Sequence, residues 1–142
     1  MTDPRPPDAE LAERIRAAGL RATGPRIEVL GQLHDHGHLT ALEVADALKQ
    51  RGIDVARMSV YNVLNNLTRV GVLSAVELGP SGTVYEVGHG GHHHFVCRNC
   101  GRVIDVPLSD DQPLPRAEIP GVEVDDVTVV FRGRCTDCAG NG

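Results

Sequence analysis

Two C-x-x-C pairs constrain this chain more than any other feature. They are Cys97-Arg98-Asn99-Cys100 and Cys135-Thr136-Asp137-Cys138, with 34 residues between them, and they use all four cysteines. A C-x-x-C turn presents two thiolates from one tight knuckle, and two knuckles supply the four ligands that a tetrahedral zinc ion takes at about 2.3 Å. The alternatives are disulfides or a redox pair. A reducing compartment disfavours the first, and a redox motif needs only one pair. The spacing therefore predicts a closed structural zinc site at Cys97, Cys100, Cys135 and Cys138, with Gly101 suited to the first turn. The reducing compartment follows from the opening MTDPRPPDAEL, which lacks the basic region and apolar run of a secretion signal. No stretch approaches the roughly 20 apolar residues of a membrane span. A cytoplasmic protein with no membrane partner is expected.

The cysteines leave the histidines unexplained. All seven lie in two clusters, His34, His36 and His38 in HDHGH and His89, His92, His93 and His94 in HGGHHH. An affinity tag would sit at a terminus, and neither cluster does. Glu86 precedes the second cluster and Asp105 follows the first knuckle. Histidines and carboxylates together read as a second site with a different metal. His34 and His36 read as solvated loop residues. Strand alternation would turn His93 away from His92 and His94. His89 reads as a linker residue.

The apolar pattern places these residues on elements. With 41% apolar residues but no Trp, two Tyr and two Phe, the core must be aliphatic. Asp8 is a candidate N-cap for a first helix carrying Leu11, Ile15 and Ala18 at helical spacing, ended by Gly19. Thr23 caps a second helix with Ile27, Leu30 and Leu33. A third runs from about Ala41 to Gly52. Ser59 can cap a fourth, with Val60, Leu64, Leu67 and Val70 on one stripe and Tyr61, Asn62, Asn65, Thr68 and Arg69 opposite. VLSAVEL and TVYEV follow as strands joined by GPSG. Helices followed by a hairpin form a winged helix-turn-helix pattern, and asparagine and arginine on the far face of the fourth helix suit base edges and phosphates.

The formal net charge of −5 argues mildly against nucleic acid, but it is uneven. Residues 1 to 85 hold nine Lys/Arg and ten Asp/Glu, a balance of −1, while residues 86 to 142 hold five and nine, or −4. Near Val87 a second part begins. HFVC and RVIDVPL read as strands beside the first knuckle, and VEVDDVTVVFRGRC as one or two more before the second. SDDQPLPRAEIPG, with three prolines, has room for a brief helical turn. So small a sheet needs an edge covered by a second copy, and a homodimer is expected. The fold class expected is α+β, with an N-terminal winged helix-turn-helix domain over residues 1–86 and a small α/β dimerisation domain with structural zinc over 87–142.

LRATGPR, SVYNVLNNL, YEVGHGGHHHFVCRNCGRVIDV and CTDC, in that order and spacing, resemble the ferric uptake regulator family of bacterial metal-dependent repressors. The resemblance runs from about Leu11 to Cys138. It implies a palindromic double-stranded DNA operator, zinc on the four cysteines, and a regulatory iron or manganese ion on His38, Glu86, His92, His94 and Asp105. The family's DNA-contacting tyrosine falls on Tyr61. Arg21, Arg26, Arg57, Ser59, Asn62 and Asn65 complete the candidate DNA-binding set. Within the family the chain is similar to actinobacterial peroxide sensors that control catalase. Asp105 supports that placement, and His38 and His92 would be the oxidation-sensitive ligands. Iron-, zinc- or nickel-uptake repression is the alternative function. A further metal site needs a histidine in the last strand region, where only Asp125 and Asp126 stand, so it is expected to be missing or weak. Three imidazoles and two carboxylates are more ligands than structural zinc takes and suit ferrous iron or manganese. A metal hydrolase or thiol oxidoreductase is disfavoured, because no acid–base constellation lies beyond the ligands. A zinc-ribbon interaction module would not need the polar face of the fourth helix.

Overall fold

The computed structural model describes residues 4–78, 82–88, 92–107, 118–124, 127 and 129–140. The chain divides into two compact units, Met1–His89 and Gly90–Gly142. The boundary expected between Glu86 and Val87 falls inside a strand that runs to Val87, so the division lies slightly later.

The first unit holds four helices and a three-stranded sheet. They are α1 (Asp8–Ala17), α2 (Gly24–His36), β1 (His38–Thr40), α3 (Ala41–Gln50), α4 (Arg57–Arg69), β2 (Leu73–Glu77) and β3 (Thr83–Val87). Helix starts follow local chemistry at two places. Thr23 accepts the Arg26 N–H at 3.4 Å. Thr40 and Glu43 form a reciprocal capping box, with Glu43 N–H donating to Thr40 at 3.2 Å and Thr40 N–H to Glu43 at 3.4 Å. Two expected caps move. Pro7, not Asp8, is the N-cap of α1, and Ala56, not Ser59, is that of α4. Asp8 instead pairs with Arg5 at 2.9 Å. Proline with its fixed φ suits a helix entry without any side-chain bond.

The core of this unit is aliphatic, as the composition requires. Leu11, Ile15, Val29, Leu30, Leu33, Val44, Leu48, Val60, Leu64 and Leu67 are buried together, with Tyr85 as the one aromatic partner. In α4 the buried stripe is Val60, Val63, Leu64 and Leu67; Val70 is the C-cap and only half-buried. The sheet order is β1-β3-β2, all antiparallel. β1 has no period long enough to be seen in sequence. It forms because Gly37, at φ +85°, turns the chain out of α2 and lets His38–Thr40 pair with β3. His34 and His36, read as loop residues, end α2. Arg14 donates to the His34 ring at 3.2 Å across the α1–α2 contact.

The second unit is a sheet of order β5-β4-β6 plus one helical turn: β4 (His92–Cys97), β5 (Val103–Pro107), β6 (Val130–Gly133) and α5 (Thr136–Ala139). β4 pairs antiparallel with β5 and parallel with β6. Among the described residues of the long alternating stretch 122–135, Val130–Gly133 is strand and residues 122–124 are irregular. Residues 79–81 of the expected GPSG turn, His89, Asp125, Asp126 and most of the proline-rich 109–121 lie outside the described residues; 118–121 form a turn, not a helix. No helix among the described residues is long and apolar enough to cross a membrane.

Arg5 shows how the first unit is locked. Its guanidinium meets Asp8 at 2.9 Å, Glu28 at 3.6 Å and Asp35 at 3.8 Å, and it lies over Gly31. A Cβ on Gly31 would lie 2.4 Å from Arg5 Cζ. Alanine is favoured over glycine by about 1 kcal/mol inside a helix, but here it would evict the arginine. Gly31→Ala is expected to raise the urea midpoint in an Arg5→Ala chain and to give a smaller gain, or a loss, in the native chain. Equal shifts in both backgrounds would show that Arg5 is not seated against Gly31.

Candidate functional site

The cysteine site is built by two turns. β4 ends at Cys97, the chain reverses through Gly101 at φ +75°, and β5 begins at Val103. Gly101 N–H donates to the Cys97 carbonyl at 3.0 Å, and Cys97 N–H to the Arg102 carbonyl at 2.9 Å. On the other side Cys135 is the N-cap of α5, which places Cys138 one turn later. Arg98 N–H donates to the Gly133 carbonyl at 2.7 Å, and Cys135 N–H to the Cys97 sulfur at 3.3 Å. Arg102 and Asp137 close the gap with an ion pair at 2.9 Å.

The four sulfurs all lie within 4.8 Å of one another, and none is in a disulfide. Cys100 and Cys135 sulfurs are 3.7 Å apart. A tetrahedral ion 2.3 Å from each sulfur requires an edge of about 3.8 Å, so the set fits zinc. The backbone N–H groups of Cys100 and Cys135 hold Cys97 down to a pKa of about 6, which favours its thiolate. Cys138, sharing a hydrogen bond with Cys135 among the other sulfurs, is pushed up to about 12. Four thiolates in one place repel, and a divalent cation lets all of them ionise. The Asp137 hydrogen bond and charge, then the Cys135 and Cys100 sulfurs, raise the Arg102 pKa.

The second ligand set appears as two facing pairs. In the first unit His38 of β1 stands directly opposite Glu86 of β3, which is buried. In the second unit His94 of β4 stands opposite Asp105 of β5. Facing residues of an antiparallel pair share one side of the sheet. His94 is 1% exposed, and its Nε2 lies 3.8 Å from Asp105 Oδ1. That is too long for a hydrogen bond but fits two atoms each about 2.1 Å from one ion, which sit roughly 3–4 Å apart. His92 is on β4, and its side chain is outside the described residues. His93 turns the other way, as alternation requires. Its Nδ1 accepts the Val129 N–H at 3.2 Å and its ring meets Phe131 edge-on at 6.2 Å. His93 is thus a structural residue that ties β4 to the approach of β6.

The remaining candidates lie on the first unit. Tyr61, Asn62 and Asn65 are exposed on α4, as are Arg57 and Ser59 in its first turn. Thr68 leaves that face, because its hydroxyl donates to the Leu64 carbonyl at 2.7 Å. Arg21 is exposed just before α2, whereas Arg26 is half-buried and donates to the Arg21 carbonyl at 2.7 Å. Beside α4 an open cleft of about 300 Å³ is lined by Leu42, Tyr61, Thr83 and Tyr85. Burial, then Tyr61 and Glu77, raise the Tyr85 pKa. Sequence reasoning overlooked Arg102 and Asp137. Their positions beside the cysteines were visible, but only folding shows that they meet.

The profile of the ferric uptake regulator family matches residues 17–131. The chain belongs to this family. The transcriptional regulator FurA of Mycobacterium tuberculosis is 36% identical over 92% of this chain and 90% of its own length. The ferric uptake regulation protein of Neisseria meningitidis is 31% identical over 91% and 93%. Among solved structures, the ferric uptake regulator of Pseudomonas aeruginosa with manganese superposes with a TM-score of 0.69 at 27% identity, over 89% of this chain and 98% of that one. The chain is thus a metal-responsive transcription regulator and not an enzyme.

The cysteine geometry carries a direct test. Cys138→Ser is expected to lose tightly bound zinc and to lower the melting temperature of the second unit, since metal binding in such a site is folding free energy. Retention of one zinc per chain with an unchanged melting profile would rule out the four-cysteine site.

Proposed function

We propose that this chain is a cytoplasmic, homodimeric repressor that binds a palindromic DNA operator when loaded with ferrous iron or manganese. Hydrogen peroxide releases it, through iron-catalysed oxidation of its own histidine ligands. The observation that carries the reading is the pairing of each buried or half-buried imidazole with a carboxylate in strand register, His38 with Glu86 and His94 with Asp105. With His92 they make a nitrogen–oxygen ligand set suited to iron or manganese rather than to structural zinc. The P. aeruginosa relative was solved with manganese. The zinc ion belongs to Cys97, Cys100, Cys135 and Cys138.

The metal couples to DNA affinity by linkage: it favours whichever arrangement of the chain it binds best. In a dimer the two α4 helices would then enter successive major grooves about 34–36 Å apart. Tyr61, Asn62 and Asn65 present the side chains for base edges, and Arg21, Arg26, Arg57 and Ser59 those for the backbone. Exposed Ile104 and Phe131 on the outer strands of the second sheet support a second copy as its cover. Bound ferrous iron supplies the electron chemistry that turns peroxide into an oxidant. His38 and His92 each take up one oxygen atom, the other leaving as water, and an oxidised ring is a poorer ligand. The zinc thiolates are spared, because zinc is redox-inert and each thiolate donates a lone pair to it in a closed shell.

A repressor of iron, zinc or nickel uptake that senses metal alone would use the same facing pairs. Peroxide separates the two. In the iron-loaded protein a brief pulse is expected to add one oxygen to peptides containing His38 or His92, with DNA binding falling in step. Manganese-loaded protein is expected to stay unmodified. Intact histidines together with a Cys97–Cys100 disulfide would make the switch thiol-based and overturn the proposal. For the DNA face, Tyr61→Ala is expected to weaken operator binding by about 1–3 kcal/mol, with zinc content and dimerisation unchanged. Full affinity in a gel shift would remove α4 as the recognition helix.

A further inference from the structure

A zinc ion held by four thiolates carries a net charge of about −2. Here the four come from two knuckles far apart in sequence, and the same cluster has a cation beside it. Arg102 follows the first knuckle, where its carbonyl accepts the Cys97 N–H at 2.9 Å. Its side chain crosses to the second knuckle and places Nη2 2.9 Å from Asp137, which sits between Cys135 and Cys138. Both partners are largely exposed, 50% and 71%, and an exposed pair by itself adds little to fold stability. What the geometry does supply is a permanent positive charge held at the second knuckle, on the residue between Cys135 and Cys138, because arginine does not deprotonate in proteins.

We infer that Arg102 is a positioning residue for the zinc site, holding the metal against competing chelators by setting its charge beside the dianionic cluster, with Asp137 as its anchor. The inference rests on the zinc reading of the four cysteines. It differs from a simple staple between knuckles in one respect. A staple is broken equally by removing either partner. The charge account is not symmetric, because Asp137 is itself an anion near an anionic cluster. Losing Asp137 costs Arg102 its anchor but also removes a repulsion.

The test uses the purified full chain. Zinc is counted by elemental analysis, and its transfer to a chromogenic chelator is timed. Wild type is expected to hold one zinc per chain. Arg102→Ala is expected to release it about tenfold faster, the lower end for residues that support metal ligands. Arg102→Gln keeps a donor for Asp137 without the charge and is expected to match Arg102→Ala. Asp137→Asn is expected to stay close to wild type. Raising salt to about 1 M, where the screening length falls to about 3 Å, is expected to shrink the Arg102 effect. Unchanged release in both Arg102 variants overturns the inference, as does equal, salt-independent acceleration in Arg102→Ala and Asp137→Asn. A wild type purified without zinc overturns the zinc reading and this inference with it.

Discussion

The four-sulfur cluster is the interaction on which the second unit depends. Among its described residues only His94, Val96, Cys97 and Cys135 are buried. The three short strands and one helical turn of the described residues bury little apolar surface against the entropy of ordering the chain. Metal binding in such a site is folding free energy. Cys97 ends the central strand, and its sulfur receives the N–H of Cys135 at 3.3 Å. The same residue proposed to bind zinc therefore holds the two knuckles in register. β4 is fixed at that end, and His93 and His94 are placed by it.

The first unit has no such dependence. Its core is a continuous aliphatic cluster from α1 to β3. That core uses one stripe of α4 and leaves Tyr61, Asn62 and Asn65 on the surface. Packing and the proposed DNA recognition thus occupy opposite faces of one helix, and a change on one is felt weakly on the other. The wing follows the same logic. Leu39 and Tyr85, facing each other on β1 and β3, point into the core. His38 and Glu86, one residue away on each strand, take the other side. Alternation therefore separates a structural row from the row proposed to bind metal.

The histidine-rich segment shows the same division in a single strand. His93 accepts a backbone N–H and packs on Phe131, while His94 turns to Asp105. Neighbours of identical chemistry acquire different roles because successive strand residues face opposite ways. The uneven charge has a related reading. The acidic excess lies in residues 86 to 142, which follow in sequence the helix proposed to meet DNA.

Much of this was legible in the residues themselves. Cysteine spacing, helical periodicity and the glycine after the first knuckle report local geometry, and local geometry needs no distant partner. The four helices, both long wing strands and the cysteine grouping are of this kind. The caps at Asp8 and Ser59 were misplaced because a good capping side chain does not oblige a helix to start there; the backbone entry from Pro7 and Ala56 decides. β1 and α5 are too short to show a period. The facing of His38 with Glu86 and of His94 with Asp105, the role of His93, the seat of Arg5 against Gly31 and the meeting of Arg102 with Asp137 join residues up to 48 positions apart. Only the tertiary structure decides these, because strand register and the closure of two knuckles set distances that no local pattern encodes.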